Sequence, residues 1–107
     1  MEKNLNVIRL LSEKRSEELA HFFKVMGDST RVKILFLISD SEMCVSQIAN
    51  ALGMTEAAIS HQFQTLRMNG LVRRQRRGRT ICYKLDDHHI NAIMALGCEH
   101  ICEKGRH

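Results

Sequence analysis

Three groups of residues in this 107-residue sequence have types and spacings that can do chemistry. The first is Asp87-His88-His89, followed in the same C-terminal stretch by His100 and Glu103. Imidazole nitrogens and carboxylate oxygens are ligands suited to zinc and its first-row neighbours. On a helix, His89 and His100 are about 1,100° apart, so they share a face to within ~20°, and Glu103 lies ~40° to the other side of His89. The same separation is a rise of about 16 Å, far more than one ion with bonds of ~2 Å can span. Asp87, His89, His100 and Glu103 therefore converge only if a second copy of the helix runs antiparallel. Asp87 and His89 of one chain then meet His100 and Glu103 of the other, and two-fold symmetry makes two identical sites. Ile93 and Leu96 fall on this face and would form the apolar seam between them.

A second register has the same spacings: Asp86, His88, Glu99 and Cys102. Its face carries Asn91, Ala92 and Ala95, a poorer seam, and it offers one histidine instead of two. A third reading leaves all these residues as ordinary polar groups on an exposed helix. Residue types and spacing favour the first register over the second but leave the third standing.

The second group is basic. Residues 67–85 hold Arg67, Arg73, Arg74, Arg76, Arg77, Arg79 and Lys84 and no acid, whereas the segments on either side are net negative. A cationic stripe between acidic flanks is the footprint of a polyanion site. The third group lies just before it. Ile59, Phe63 and Leu66 repeat at +4 and +3, which places Ala57, Ser60, His61 and Gln64 on the opposite face. Short polar side chains on such a face can exchange hydrogen bonds with base edges in a major groove.

These groups need a frame, and the sequence predicts one. Leu5, Ile8, Leu11 and Leu10 give a weak helical stripe in an N-terminal arm over 1–15. Ser16 is the expected N-cap of the next helix, with Glu17 and Glu18 in its first turn and Leu19, Phe22, Phe23 and Met26 on its apolar side, ending at Gly27. Asp28-Ser29-Thr30 caps a helix that buries Val32, Ile34, Leu35 and Ile38. A short helix over 46–52 closes at Gly53, and Thr55 caps a longer one that runs to about Asn69 and stops at Gly70. Together they make a helix-turn-helix over 46–69. Leu71-Val72 and Ile81–Leu85 are expected strands, turned by Arg77-Gly78-Arg79. This hairpin, over 71–85, carries the arginines beside the longer helix. The terminal helix starts near Asp86 or Asp87 and runs to about Glu103. The fold class is mostly α with a β-hairpin wing: a single winged helix-turn-helix domain over 1–107, which, if the first register holds metal, pairs as a homodimer through its terminal helices with 87–103 as the metal-binding dimerisation helix.

Composition excludes several other classes. Apolar residues are 44% and charged residues 26%, and Trp and Pro are absent, so disorder and low-complexity readings fail and an aliphatic core is required. No apolar run approaches the ~18 residues of a membrane span, and Met1-Glu2-Lys3-Asn4 lacks the layout of a secretion signal. The expected location is cytoplasmic, where four cysteines are read as thiols, metal ligands or sensors and not as a disulfide framework. A metal hydrolase is disfavoured, because two carboxylates and two imidazoles fill a tetrahedron that catalysis would need open.

The chain resembles the ArsR/SmtB family of winged-helix metal-sensing repressors over residues 17–103. The stretches that carry the resemblance are Met26-Gly27-Asp28-Ser29-Thr30-Arg31-Val32-Lys33-Ile34-Leu35, Glu42-Met43-Cys44-Val45, Ile59-Ser60-His61-Gln62-Phe63-Gln64-Thr65-Leu66 and Gly78-Arg79. Asp87-His88-His89-Ile90 with His100 and Glu103 is similar, in the first register, to the C-terminal-helix zinc site of the SmtB-like branch. The resemblance implies a metal-free dimer on double-stranded operator DNA that zinc releases from two intersubunit sites built of Asp87, His89, His100 and Glu103; cobalt and nickel suit the same donors. It assigns DNA contacts to Thr55, Ser60, His61, Gln64, Arg76, Arg77 and Arg79. It also implies that the metal-ligating His100 donates its other N–H to the carbonyl of Gly70, at the end of the reading helix. Two departures stand out. Cys44-Val45-Ser46 occupies the place of the Cys-x-Cys pair used by cadmium- and lead-sensing members, and residues 1–43 hold no cysteine, so that thiol site lacks most of its ligands. Glu56 and Ala57 begin the reading helix where uncharged polar residues are usual. The competing function keeps the scaffold but senses a thiophilic metal, arsenite or an oxidant through Cys98 and Cys102, which are otherwise expected to be idle or partly buried.

Overall fold

A computed structural model describes residues 11–104, so the stripe of Leu5, Ile8 and Leu10 lies outside the described residues. The described chain forms α1 (Glu13–Met26), α2 (Ser29–Leu37), β1 (Met43–Cys44), α3 (Val45–Leu52), α4 (Glu56–Met68), β2 (Val72–Arg77), β3 (Thr80–Leu85) and α5 (His88–Lys104). This is the expected winged helix-turn-helix, with one addition. The two-residue strand β1 joins the hairpin as a third antiparallel strand, in the order β1-β3-β2.

Helix starts follow side chains that replace lost backbone partners. Asp28 caps α2 by accepting from the Arg31 N–H at 3.1 Å, and Thr55 caps α4 by accepting from the Ala58 N–H at 3.1 Å. The start of α1 corrects the sequence reading. Ser12, not Ser16, is the cap: its hydroxyl accepts from the Arg15 N–H at 3.1 Å, and Ser16 is already inside the helix, donating its N–H to the Ser12 carbonyl at 2.9 Å.

The end of α4 is closed by the chain itself. Gly70, at φ +75°, lets the chain reverse. The Leu71 N–H then reaches the Leu66 carbonyl at 2.9 Å and the Gly70 N–H the Arg67 carbonyl at 3.1 Å. This is a Schellman cap, sealed by apolar contact because Leu66 and Leu71 are both fully buried.

The core gathers one stripe from each helix. Val25 and Met26 come from α1, Ile34 and Leu35 from α2, Ile48 and Ala49 from α3, and Ile59, Phe63 and Leu66 from α4. Val72 and Tyr83 add the wing, and Ile90 and Met94 add α5. Phe63 and Tyr83 stack with ring centroids 3.9 Å apart and planes within 4° of parallel, which fastens the wing to α4. Hairpin register is set by Val72 opposite Leu85 through Arg77 opposite Thr80, so Gly78-Arg79 alone make the turn, with Gly78 at φ +64°. Strand β2 therefore carries Arg73, Arg74, Arg76 and Arg77 itself and does not leave Arg77 in a loop.

The cysteines also depart from the sequence reading. Cys44 and Cys82, expected as thiols, face each other across the β1–β3 ladder and are joined by a disulfide. Cys98 and Cys102 are free and exposed on α5, not partly buried.

Candidate nucleic-acid interface and metal ligands

Amphipathy decides which face α4 presents. With Ile59, Phe63 and Leu66 sealed in the core, Ala57, Ser60, His61 and Gln64 stand exposed on the other side, as the spacing predicts. The hydroxyl of Thr55 is spent on capping the helix, so its first task is to hold the N-terminus of α4 in place.

Strand alternation sorts the wing arginines. Arg74 lies opposite Tyr83 and Arg76 opposite Ile81, on the face of the sheet that turns toward α4. Arg74 and Arg67 share a shallow groove with Ser60 and Gln64, and Arg67, Arg74 and Arg76 line its continuation along the strand. At the wing tip, Arg79 and Thr80 border another groove with Glu56 and Ser60. The Arg76 guanidinium donates to the Gly78 carbonyl at 3.1 Å, which holds it beside the turn. The structure thus places Ser60 and Gln64 beside Arg67 and Arg74, with Arg76 farther along the strand, and Arg79 in a neighbouring groove that Ser60 also lines. His61 is exposed on α4 but lines none of these grooves.

Arg67 and Arg74 line these grooves too; both belong to the cationic stripe, although the resemblance assigns a DNA contact to neither. The period-two alternation of β2 counted from Val72 is the signal that could have found Arg74. Its use required a hairpin register that only the folded chain supplies.

Arg73 and Arg77, on the other face of β2, behave differently, because acids from other segments meet them. Arg73 pairs with Asp86 at 3.0 Å. Arg77 donates through Nε and Nη2 to both carboxylate oxygens of Glu42, at 2.8 and 2.9 Å. The absence of acids within 67–85 therefore does not leave all seven cations without partners. The Arg77 guanidinium, by hydrogen bond and charge, holds the Glu42 carboxyl below the usual glutamate range, and Glu42 raises Arg77 in turn.

The four candidate metal ligands lie toward opposite ends of α5. Asp87 lies just before the helix and accepts from the His89 N–H at 2.9 Å, and the His89 ring nitrogen Nδ1 stands 3.3 Å from the same oxygen. Desolvation is the largest single influence and raises the Asp87 carboxyl, but the hydrogen bonds and charge of His89 and the Ile90 N–H together outweigh it and leave it lowered. His100 and Glu103 are exposed near the other end of α5. Among the described residues of one chain, no three histidines, cysteines or acids come close enough to hold one ion. The donor set nonetheless fits a borderline metal: two imidazoles and two carboxylates, accessible and on one helix face. In the rival register, Asp86 is already engaged by Arg73, and Cys102 lies beside Cys98 with 4.0 Å between the sulfurs.

Apolar exposure accompanies these pairs. Leu96 is 66% exposed in the middle of α5, whereas Ile93 is half-buried against the core. Leu19 and Phe23 of α1 are also about half exposed.

Comparison with known proteins places this geometry. Residues 28–74 match the family described as "Bacterial regulatory protein, arsR family". The chain is 31% identical over 94 residues to a transcriptional repressor SmtB homolog of Synechocystis, covering 88% of this chain and 71% of that one. Among solved structures, the AntR antimony-specific transcriptional repressor superposes with a TM-score of 0.81 at 29% identity, covering 92% of this chain and 89% of that chain. A homodimeric winged helix-turn-helix domain of Mycobacterium bovis superposes with a TM-score of 0.79 at 27% identity, covering 87% and 89%.

The Glu42–Arg77 pair makes a prediction about pH. A carboxylate whose pKa is depressed on folding adds stability above its unfolded pKa, and that stability is lost as pH falls through the folded value. An NMR titration should find the Glu42 carboxyl titrating below the ordinary glutamate range and moving up toward it in Arg77→Ala. Equal midpoints in the two proteins would show that the pair does not form in solution.

Proposed function

The chain belongs to the ArsR/SmtB family of transcriptional regulators, and from that premise we propose that it is a cytoplasmic, homodimeric repressor that holds operator DNA when metal-free and leaves it when zinc binds between the α5 helices of the two copies. Members of the family are DNA-binding and dimeric and are not enzymes. The observation that carries the zinc reading is the split of donors on α5. Asp87 and His89 are preassembled at one end, and His100 and Glu103 wait at the other. Their separation is too great for one chain to close the site, and Leu96 is exposed between them, where a seam with a second copy would run. No helix among the described residues is long and apolar enough to cross a membrane.

Zinc held by Asp87 and His89 of one copy and His100 and Glu103 of the other would cross-link the two chains. Everything else falls to the chain. Asp87 Oδ1 and His89 Nδ1 stand side by side, 3.3 Å apart, so the two donors that one chain would give to a site already lie together. His100 has a second ring nitrogen to donate, and the carbonyl of Gly70 is the acceptor we assign to it. That contact would tie a metal ligand to the Schellman cap of the reading helix. Metal can weaken DNA binding only by favouring an arrangement that DNA disfavours, and the coupling is reciprocal. The arrangement in question is the spacing of the two α4 helices, which must match major grooves about 34 Å apart.

On DNA, Ser60, His61 and Gln64 face the base edges, with Thr55 fixing the start of the helix. Arg76 and Arg79 take phosphates or the minor groove, and Arg77 joins them when phosphate displaces Glu42. Cys44 and Cys82 lie outside the metal site. Sensing through Cys98 and Cys102 is the competing reading, and a thiolate signature in the metal complex would restore it.

Two sets of variants test this function. His61→Ala should cost about 1–3 kcal/mol of operator affinity and relax specificity locally, whereas Arg79→Ala should weaken binding to all sequences and flatten the salt slope by about one unit. Parent-like binding by both would mean that α4 and the wing do not face DNA in this way. For the metal, fluorescence anisotropy should find that His89→Ala represses constitutively and that His88→Ala and Cys102→Ser keep their zinc response. The cobalt(II) complex should be tetrahedral without a strong thiolate band. The opposite pattern in the histidine variants, or a thiolate band lost on Cys98→Ser, would overturn the assignment.

A further inference from the structure

Helix α1 is attached to the rest of the molecule over a short length. Residues 11–21 are exposed throughout, and only Phe22, Val25 and Met26, in the last turns, enter the core or pack against it. A helix held only at its end can swing unless polar contacts fix its direction. Among the described residues two such contacts are present, and both lead to α4.

The first is a pivot. Arg31, in the first turn of α2, donates from Nη1 to the carbonyl of Val25 in α1 at 2.8 Å and from Nε to Oε1 of Gln62 in α4 at 3.1 Å. Its guanidinium clamps the end of one helix to the middle of the other. The second lies farther out. The His21 ring nitrogen Nε2 is 2.9 Å from Oδ1 of Asn69, the C-cap residue of α4. The Asn69 amide nitrogen is committed elsewhere, donating to the Thr65 carbonyl at 2.8 Å, so its oxygen must face His21 and the ring must donate through Nε2–H. Gln62 and Asn69 are about 10 Å apart along α4. Attachment at two points that far apart fixes tilt as well as position.

At 100° per residue, the exposed Leu19 and Phe23 fall on one side of the buried stripe of α1 and His21 falls on the other. One side is left open while the other grips the reading helix. We propose that His21 is a positioning residue for DNA reading: through Asn69 it transmits the placement of α1, seated by Leu19 and Phe23 on a second copy of the chain, to the C-terminal end of α4. This rests on the dimeric reading of the proposed function. It adds an input to the α4 cap that comes from α1, separate from any input through α5.

A double-mutant cycle tests the proposal, with operator affinity read by anisotropy and the oligomer by sedimentation. His21→Ala and Asn69→Ala should each weaken operator binding about three- to tenfold, and the double variant no more than either alone. His21→Gln, whose amide can donate to the same oxygen, should restore most of the loss, which a general loss of packing would not allow. Zinc affinity of the free protein and the dimer mass should stay at parent values in all four variants, since none touches a metal ligand. Parent-like operator affinity in a dimeric His21→Ala, additive losses in the double variant, or failure of His21→Gln to recover would each refute the positioning role. A monomeric parent protein would instead remove the dimeric reading on which the role rests.

Discussion

The burial of one stripe on α4 governs what this protein can present to a partner. Ile59, Phe63 and Leu66 have no exposed surface, and Phe63 lies flat against Tyr83 of the wing. Burying a side chain of this size is worth about 1.5–3 kcal/mol, so rotating the helix to hide its polar face would cost several such terms at once. The opposite face is therefore fixed outward. The same stack sets where β3 lies, and the antiparallel register then decides which arginines of β2 turn toward α4. Reading helix and cationic wing are two consequences of one packing constraint.

The end of that helix is the second point on which the structure turns. A left-handed glycine, a buried Leu66–Leu71 contact and two backbone hydrogen bonds make the α4 cap stiff. Stiffness is what allows a distant contact to matter, since a frayed end would absorb a push from outside. His21 already bonds to this cap from α1, and the assignment of His100 would bring α5 to the same place. A regulator that must alter the spacing of two reading helices needs such a rigid handle on each.

Much of this was legible in the sequence because it depends on local periodicity. The repeat of Ile59, Phe63 and Leu66 gave α4 and its outward face, the capping residues Asp28 and Thr55 gave two helix starts, and the positions of the glycines gave the ends. The pairing of Asp87 and His89 apart from His100 and Glu103 followed from helix rise alone. What stayed hidden depends on residues far apart in the chain. Glu42 is 35 residues from Arg77, and Asp86 is 13 from Arg73, so no charge count within 67–85 could find either pair. The same holds for β1, too short to show a period, and for Cys44 and Cys82, which become neighbours only through the β1–β3 register. The start of α1 was misplaced for a different reason. Ser12 and Ser16 both precede acidic residues, and only the observed hydrogen bond separates them.

The central claim is that the metal is held between two copies of the chain, with each copy giving half of the ligands. Subunit complementation tests this most directly. His89→Ala and His100→Ala homodimers each lack an intact site in this account. Mixed in one dimer, the first protein contributes sound His100 and Glu103 and the second contributes sound Asp87 and His89, which rebuilds one complete site and destroys the other. Zinc titration of the purified heterodimer should therefore recover one tight site of parental affinity per dimer, where neither homodimer shows any. A heterodimer that binds no zinc more tightly than its parents would contradict the shared site and the release mechanism built on it.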